Sequence, residues 1–246
     1  MDQLSTNATA STTESDSVEE FEQKIAAFLD AECTQSTAGP ASISLSIRPV
    51  QGSVIYSTSS TQHLLLRGQR SSEWLTLAPV SDTRDGAFAQ GRDLRRGEVL
   101  MLDPGGEAFQ QFAAGHRQCA ISIPVDSVRN IIEHEHHRSA DHYLNAWGAF
   151  SLGNAVDRLT GRLNAALSDH GDHDPEDLAG GILAMVLAGD GPKPMRAPML
   201  RRRRIVSRAD ELIRSRLQDP PSVTELCVAT NATRRTLFYA FESFFG

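Results

Sequence analysis

The side chains best suited to chemistry in this 246-residue chain form two groups. One is a run near its end, Thr233, Arg234, Arg235, Thr236, Phe238 and Tyr239. Planar guanidinium forks match guanine edges and phosphate oxygens, and hydroxyls at a helix start suit phosphate. That is chemistry for duplex DNA. The other group is Glu133-His134-Glu135-His136-His137 with His142, followed by Asp169-His170-Gly-Asp172-His173-Asp174. Such residues hold zinc when three converge, one coordination position stays open and a general base stands nearby. The run lacks the His-Glu-x-x-His order of zinc hydrolases. A solvated, charged helix end accounts for it more simply, and a metal-dependent enzyme is kept as the least favoured reading. Neither a Gly-x-Ser-x-Gly elbow nor a Cys/His nucleophile motif occurs, and Asp103-Pro-Gly-Gly106 reads as a turn. The expectation is therefore no enzyme, with no catalytic residue, cofactor or metal.

The elements that must position the first group are legible around it. Ile205, Ala209, Leu212, Ile213 and Leu217 form one apolar stripe of a helix that Asp219-Pro220-Pro221 ends. Ser222-Val-Thr-Glu225 is a capping box opening a short helix with Val223, Leu226 and Cys227 facing inwards. Asn231-Ala232-Thr233 supplies the turn, since Asn tolerates the left-handed conformation. Thr233 caps a last helix that buries Leu237, Phe241 and Phe244/Phe245, and Arg235, Phe238 and Tyr239 then share its outer face. Arg235 is placed to pair with guanine and Phe238 to meet a thymine methyl or to pack against a second helical unit, while Thr233, Arg234 and Thr236 suit phosphates.

With these caps and spacings, Pro221–Cys227, Asn231–Leu237, Ala240-Phe241 and Phe245-Gly246 resemble the first helix-turn-helix of AraC/XylS-type transcriptional regulators. Cys227, Asn231 and Thr233 stand where that family favours Ala, Gly and Ser. The resemblance implies a sequence-specific DNA-binding regulator with a cupin-like (jelly-roll) sensor barrel, a small-molecule effector and a homodimer. It also implies that Arg235, Phe238 and Tyr239 read bases. Family members carry two such units, and the resemblance here covers only the first. A single unit makes fewer phosphate contacts, so weaker binding is expected unless dimerisation restores it. An interaction-only regulator, dimerising without binding DNA well, is the alternative.

The rest of the chain fits two parts of opposite charge. Net charge is −7, yet residues 193–246 hold eleven Lys+Arg against five Asp+Glu, leaving thirteen against twenty-six before them. An acidic body joined to a basic end pairs a part that avoids polyanions with one that seeks them. An α+β fold is expected: residues 1–17 as a disordered tail, 18–187 as a β-rich domain with helices, 188–200 as a linker and 201–246 as an all-α DNA-binding domain. Within the β-rich part, Val18–Leu29 reads as a helix. Runs at 43–47, 54–56, 63–66, 74–77, 98–102 and 119–125 read as antiparallel strands. Asp126 or Ser127 is placed to cap a helix; Asp141–Leu167 reads as one long helix with apolar surface for its own barrel or a partner, and Asp174-Pro175 opens another. Arg48, His63, Trp74 and His116 are the candidates for effector contact. Cys33, Cys119 and Cys227 are odd in number and show no CxxC spacing, so buried free thiols in a reducing cytoplasm are expected. No apolar run reaches the roughly 18–20 residues of a membrane span.

Overall fold

The computed structural model describes residues 11–26, 29–35, 37–82, 88–89, 92–145, 148–168, 178–188 and 197–245. It is α+β, with sheets towards the N-terminus and helices towards the C-terminus. The chain divides into two compact units, Met1–Ala89 with Asp93–Pro194, and Met195–Gly246 with Gln90–Arg92.

In the front unit, β1 (Ser11–Ser15) and α1 (Val18–Ile25) precede β2 (Leu29–Gln35), β3 (Ile43–Val50), β4 (Ser53–Ser60), β5 (Leu64–Arg70) and β6 (Trp74–Val80). The short β7 (Phe88–Ala89) and β8 (Arg92–Asp93) lead to β9 (Glu98–Leu102), β10 (Glu107–Phe112) and β11 (Arg117–Pro124). After α2 (Val125–Asn130) and a π-helical turn at Ile131–Glu135 come α3 (Asp141–Leu144), β12 (Gly148–Ser151), α4 (Ala155–Leu167) and α5 (Leu178–Ala188). The strands form a seven-stranded sheet, β1-β3-β4-β11-β6-β9-β12, and a five-stranded sheet, β2-β5-β10-β7-β8. Neighbouring strands run antiparallel throughout the first sheet and from β2 to β7 in the second.

The near-continuous apolar runs of β6, β9 and β11 follow from burial on both faces. Leu75, Leu77, Val99, Met101, Ile121 and Ile123 point to one side, into a core shared with Val128, Ile132, Leu159 and Ile182 of the helices. Ala78, Val80, Leu100, Leu102 and Ala120 point to the other and join Ala89 of the second sheet. A further cluster brings Phe21 and Ile25 of α1 together with Ile43 and Leu45 of one sheet and Leu64 and Leu66 of the other. Gly68 permits a close strand approach: a Cβ there would overlap Asp30 and Ala31 of β2. Arg70, 6% exposed, pairs with Asp103 and donates to the Asp103 carbonyl (2.9 Å) and the Glu107 carbonyl (2.6 Å). It ties the end of β5 to the turn between β9 and β10.

Several expectations are corrected. Ser11–Ser15, expected within a disordered tail, pair with β3. Thr13 Oγ1 donates to the Leu45 carbonyl at 3.3 Å, and the Thr12 and Ser46 hydroxyls meet at 2.9 Å. The first helix ends at Ile25, and Leu29 already belongs to β2. Asp141–Leu167 is not one helix, because Gly148 (φ 135°) and Gly153 (φ 54°) break it and β12 forms between α3 and α4. The apolar stripe of α4, Val156, Leu159 and Leu163, packs on the seven-stranded sheet, so it is not free for a partner helix. Neither Asp126 nor Ser127 caps α2, which starts at Val125 behind Pro124. Residues 169–177, including Asp174-Pro175, lie outside the described residues, as does Trp147. Of the expected linker, 188 ends α5 and 197–200 open α6 (Ala197–Ser215); 189–196 lie outside. Cys33 and Cys119 are buried free thiols, which burial pushes up to about 12, and Cys227 is half-buried.

Candidate nucleic-acid interface

In the second unit α6 packs against α7 (Val223–Thr230) and α8 (Arg234–Phe245). Ile205, Val206 and Ala209 of α6 meet solvent hardly at all, and neither do Leu226, Leu237 and Ala240. Fully burying a Leu or Ile side chain contributes about 1.5–3 kcal/mol. These few residues are the centre of a small core. Leu217, expected on the stripe, lies past the end of α6 and is 69% exposed; Val223, expected inward, is 37% exposed. Phe241 is half-buried, and the side chains of Phe244 and Phe245 lie outside the described residues.

The capping box forms as its spacing requires. The Glu225 amide donates to Ser222 Oγ (3.3 Å), and the Ser222 amide donates to Glu225 Oε2 (2.8 Å). Arg216 completes the arrangement, donating from Nη1 to Glu225 (2.8 Å) and from Nη2 to Asp219 (2.9 Å). Arg216 first, then the Ser222 hydroxyl and amide, hold the Glu225 carboxyl well below its ordinary range, at about 2. The Arg216 contact spans nine residues, so the local capping motif gave no sign of it. Asn231 adopts φ 49°, ψ 46°, the left-handed turn expected of it, and its N–H reaches back to the Cys227 and Val228 carbonyls. Thr233 Oγ1 accepts from the Thr236 amide (3.2 Å) and sits 2.9 Å from the Thr236 hydroxyl.

On α8, Leu237 and Ala240 point into the core, which puts Arg234, Arg235, Phe238 and Tyr239 outside. All six expected contact residues lie within one cap and two helical turns. The spacing did not announce that the arginines would pair with the rings, although four-residue separations make it available. The Arg234 guanidinium carbon lies 5.6 Å from the Phe238 ring centre, and that of Arg235 lies 5.3 Å from Tyr239. Arg235 Nη2 also donates to the Tyr239 hydroxyl at 3.3 Å. Arg201, Arg202 and Arg204 are exposed on α6.

The other candidate groups resolve differently. Glu133, His134, Glu135, His137 and His142 are exposed, and Arg129 pairs with Glu133 (3.7 Å) and Asp141 (2.9 Å). Among the described residues no three His, Cys, Asp or Glu gather to hold a metal, and the 169–174 cluster lies outside them. No helix among them is long and apolar enough to cross a membrane.

Between the sheets of the front unit is a cavity of about 60 Å³, within about 500 Å³ of empty space that includes its mouth. Phe21 and Ile25 wall it, and Tyr56, Gln110 and Gln118 supply polar groups. Tyr56 is half-buried, and desolvation pushes its phenol up to about 12. None of the four expected effector residues lines it. Arg48 donates to the Ala166 carbonyl (2.5 Å), and His116 is buried and stacked on Phe112.

No protein-family model, curated protein or solved structure matches the chain.

Proposed function

We propose that the chain is a sequence-specific DNA-binding transcriptional regulator, with α7 and α8 as a helix-turn-helix of the AraC/XylS type. The observation that carries the reading is the division of α8. Leu237 and Ala240 anchor it, and Arg234, Arg235, Phe238 and Tyr239 are left on its outer face behind a threonine cap. A helix presented this way has the shape and chemistry for a major groove. Arg235 reads guanine, and Thr233, Arg234 and Thr236 contact phosphate. Selection of duplexes from a random pool, followed by gel shifts, tests this. Arg235→Ala is expected to cost about 1–3 kcal/mol of discrimination at one base pair. Arg201→Ala is expected to weaken all sequences alike and flatten the salt dependence. Failure to enrich any sequence would sink the reading.

The front unit is the effector sensor in this reading, with the two sheets as its cupin-like barrel and the inter-sheet cavity as the place of binding. Its lining carries two carboxamides, a phenol and the Thr58 hydroxyl and no ionised group, which suits a small, neutral, mostly apolar molecule. Phenol is expected to raise the melting temperature of the chain, and Gln118→Leu to diminish that rise. An unchanged melting temperature removes this part. The dimer of this reading needs a surface other than the occupied stripe of α4.

The interaction-only alternative draws on Leu217 and Val228, 69% and 77% exposed, because such side chains favour protein contacts over phosphate. The same selection separates the two readings.

A further inference from the structure

We infer that Phe238 and Tyr239 are positioning residues rather than base readers: each holds an arginine of α8 in place, and Tyr239 makes Arg235 the specificity-determining side chain. The inference rests on the DNA-binding reading and assigns roles within that interface. Both rings lie four residues after the arginine they touch, one helical turn along the same face. Phe238 is 55% exposed and Tyr239 50%, so neither ring serves the core. Rings of this size left at the surface need another use, and both are covered by a guanidinium within about 6 Å of the ring centre, the range of cation–π attraction.

The two pairs differ in one atom. Tyr239 offers a hydroxyl, and Arg235 Nη2 donates to it at 3.3 Å. The cation–π contact sets how far the guanidinium lies from the ring, and the bond to the hydroxyl adds a direction. The bond uses one of five N–H donors, leaving enough for a bidentate pair with guanine O6 and N7. Phe238 holds Arg234 by its face alone. An undirected guanidinium is adequate for a phosphate, whose oxygens accept from many angles, and inadequate for a base edge. Holding Arg235 before DNA arrives lowers the rotamer entropy lost on binding, which favours the duplex that the held orientation fits.

The test has one measurement without DNA and one with it. In the free protein, the Arg235 side-chain Nε–H resonance is expected upfield under the Tyr239 ring and to return to the ordinary arginine position in Tyr239→Leu. A resonance that Tyr239→Leu does not move overturns the proposal. With a duplex enriched by the wild-type chain, guanine is replaced by 7-deazaguanine at the pair that Arg235→Ala identifies. Tyr239→Leu is expected to lower discrimination there about two- to five-fold, the factor that an exposed cation–π contact is worth. Tyr239→Phe should lower it less, and both variants should keep the wild-type salt slope. In the Arg235→Ala background, Tyr239→Leu should change nothing further, because a prop has no role without the group it supports. Additive losses, or a loss of preference at a different base pair, make Tyr239 a direct reader and overturn the assignment. If the pool yields no enriched duplex, the regulator reading falls and takes the guanine role with it. If it yields one and the variants are additive, only the positioning role falls. Both positions are exposed, so circular dichroism and melting curves of the variants should match the wild type.

Discussion

The two units handle polar and apolar side chains in opposite ways. The front unit takes polarity inside: Arg70 with Asp103, the Thr76–Ser122 hydroxyl pair at 2.8 Å, and Gln110 and Gln118 are all buried or nearly so. The second unit leaves Leu217, Val223, Val228, Phe238 and Tyr239 outside, and these are the exposed large apolar side chains among the described residues. Burying polar groups with their partners commits a fold to one arrangement, whereas exposing rings and branched chains keeps surface for something else. The front unit is organised around itself. The second leaves large side chains at the surface.

That contrast can be broken most severely at Asp103. Asp103→Ala removes the carboxylate paired with the buried Arg70 guanidinium, and is expected to destabilise the front unit by about 3–5 kcal/mol. Denaturant melts followed by tryptophan fluorescence, with Trp74 at the start of β6, would report it. A loss no larger than that of an ordinary surface substitution, within about 0.5 kcal/mol, would mean that the interior of the front unit does not depend on this pair. A smaller effect is expected at the cap of α7. Ser222→Ala removes an N-cap and should cost the second unit about 1 kcal/mol. Acid sharpens the same point. The Glu225 carboxyl ionises at about 2 in the fold and near 4.5 in the open chain, so its contribution is complete above pH 4.5 and drains away as pH falls towards 2. The side chain is exposed, so added salt should shrink the effect. Helicity of the second unit that is flat from pH 5 to 2 would show that Arg216 and Ser222 do not hold Glu225 in solution.

Legibility from the sequence followed the reach of each interaction. The caps at Ser222, Asn231 and Thr233 are written within three or four residues of the groups they satisfy, and all three formed as read. The inner and outer faces of α8 were equally plain, because a 3.6-residue period declares itself in one turn. Pairings that span the chain were not. β10, Glu-Ala-Phe-Gln-Gln-Phe, lacks a clean alternation, and it is held as a strand by β5 some forty residues earlier. The helical apolar period of 141–167 runs straight across Gly148 and Gly153, and only the fold shows that both take positive φ and interrupt the helix. β1 was missed for a different reason. Serine and threonine read as solvated chain, and nothing local reveals that their hydroxyls meet the backbone and side chains of β3. The Arg–aromatic pairs of α8 lay between these cases, with spacing legible and contact not.

The five residues of β1 bear on how the molecule avoids its own kind. Without them β3, whose Ile43, Leu45 and Ile47 alternate along an extended strand, would end the seven-stranded sheet with a row of open amides and carbonyls. Such a row is a template on which another chain can stack, the first step towards fibrous aggregates. Ser-Thr-Thr-Glu-Ser occupies that place instead, with four of its five residues turned to water and a carboxylate among them. A short, polar, charged border offers little for a foreign strand to gain. What reads as plain polar chain is the border of the sheet.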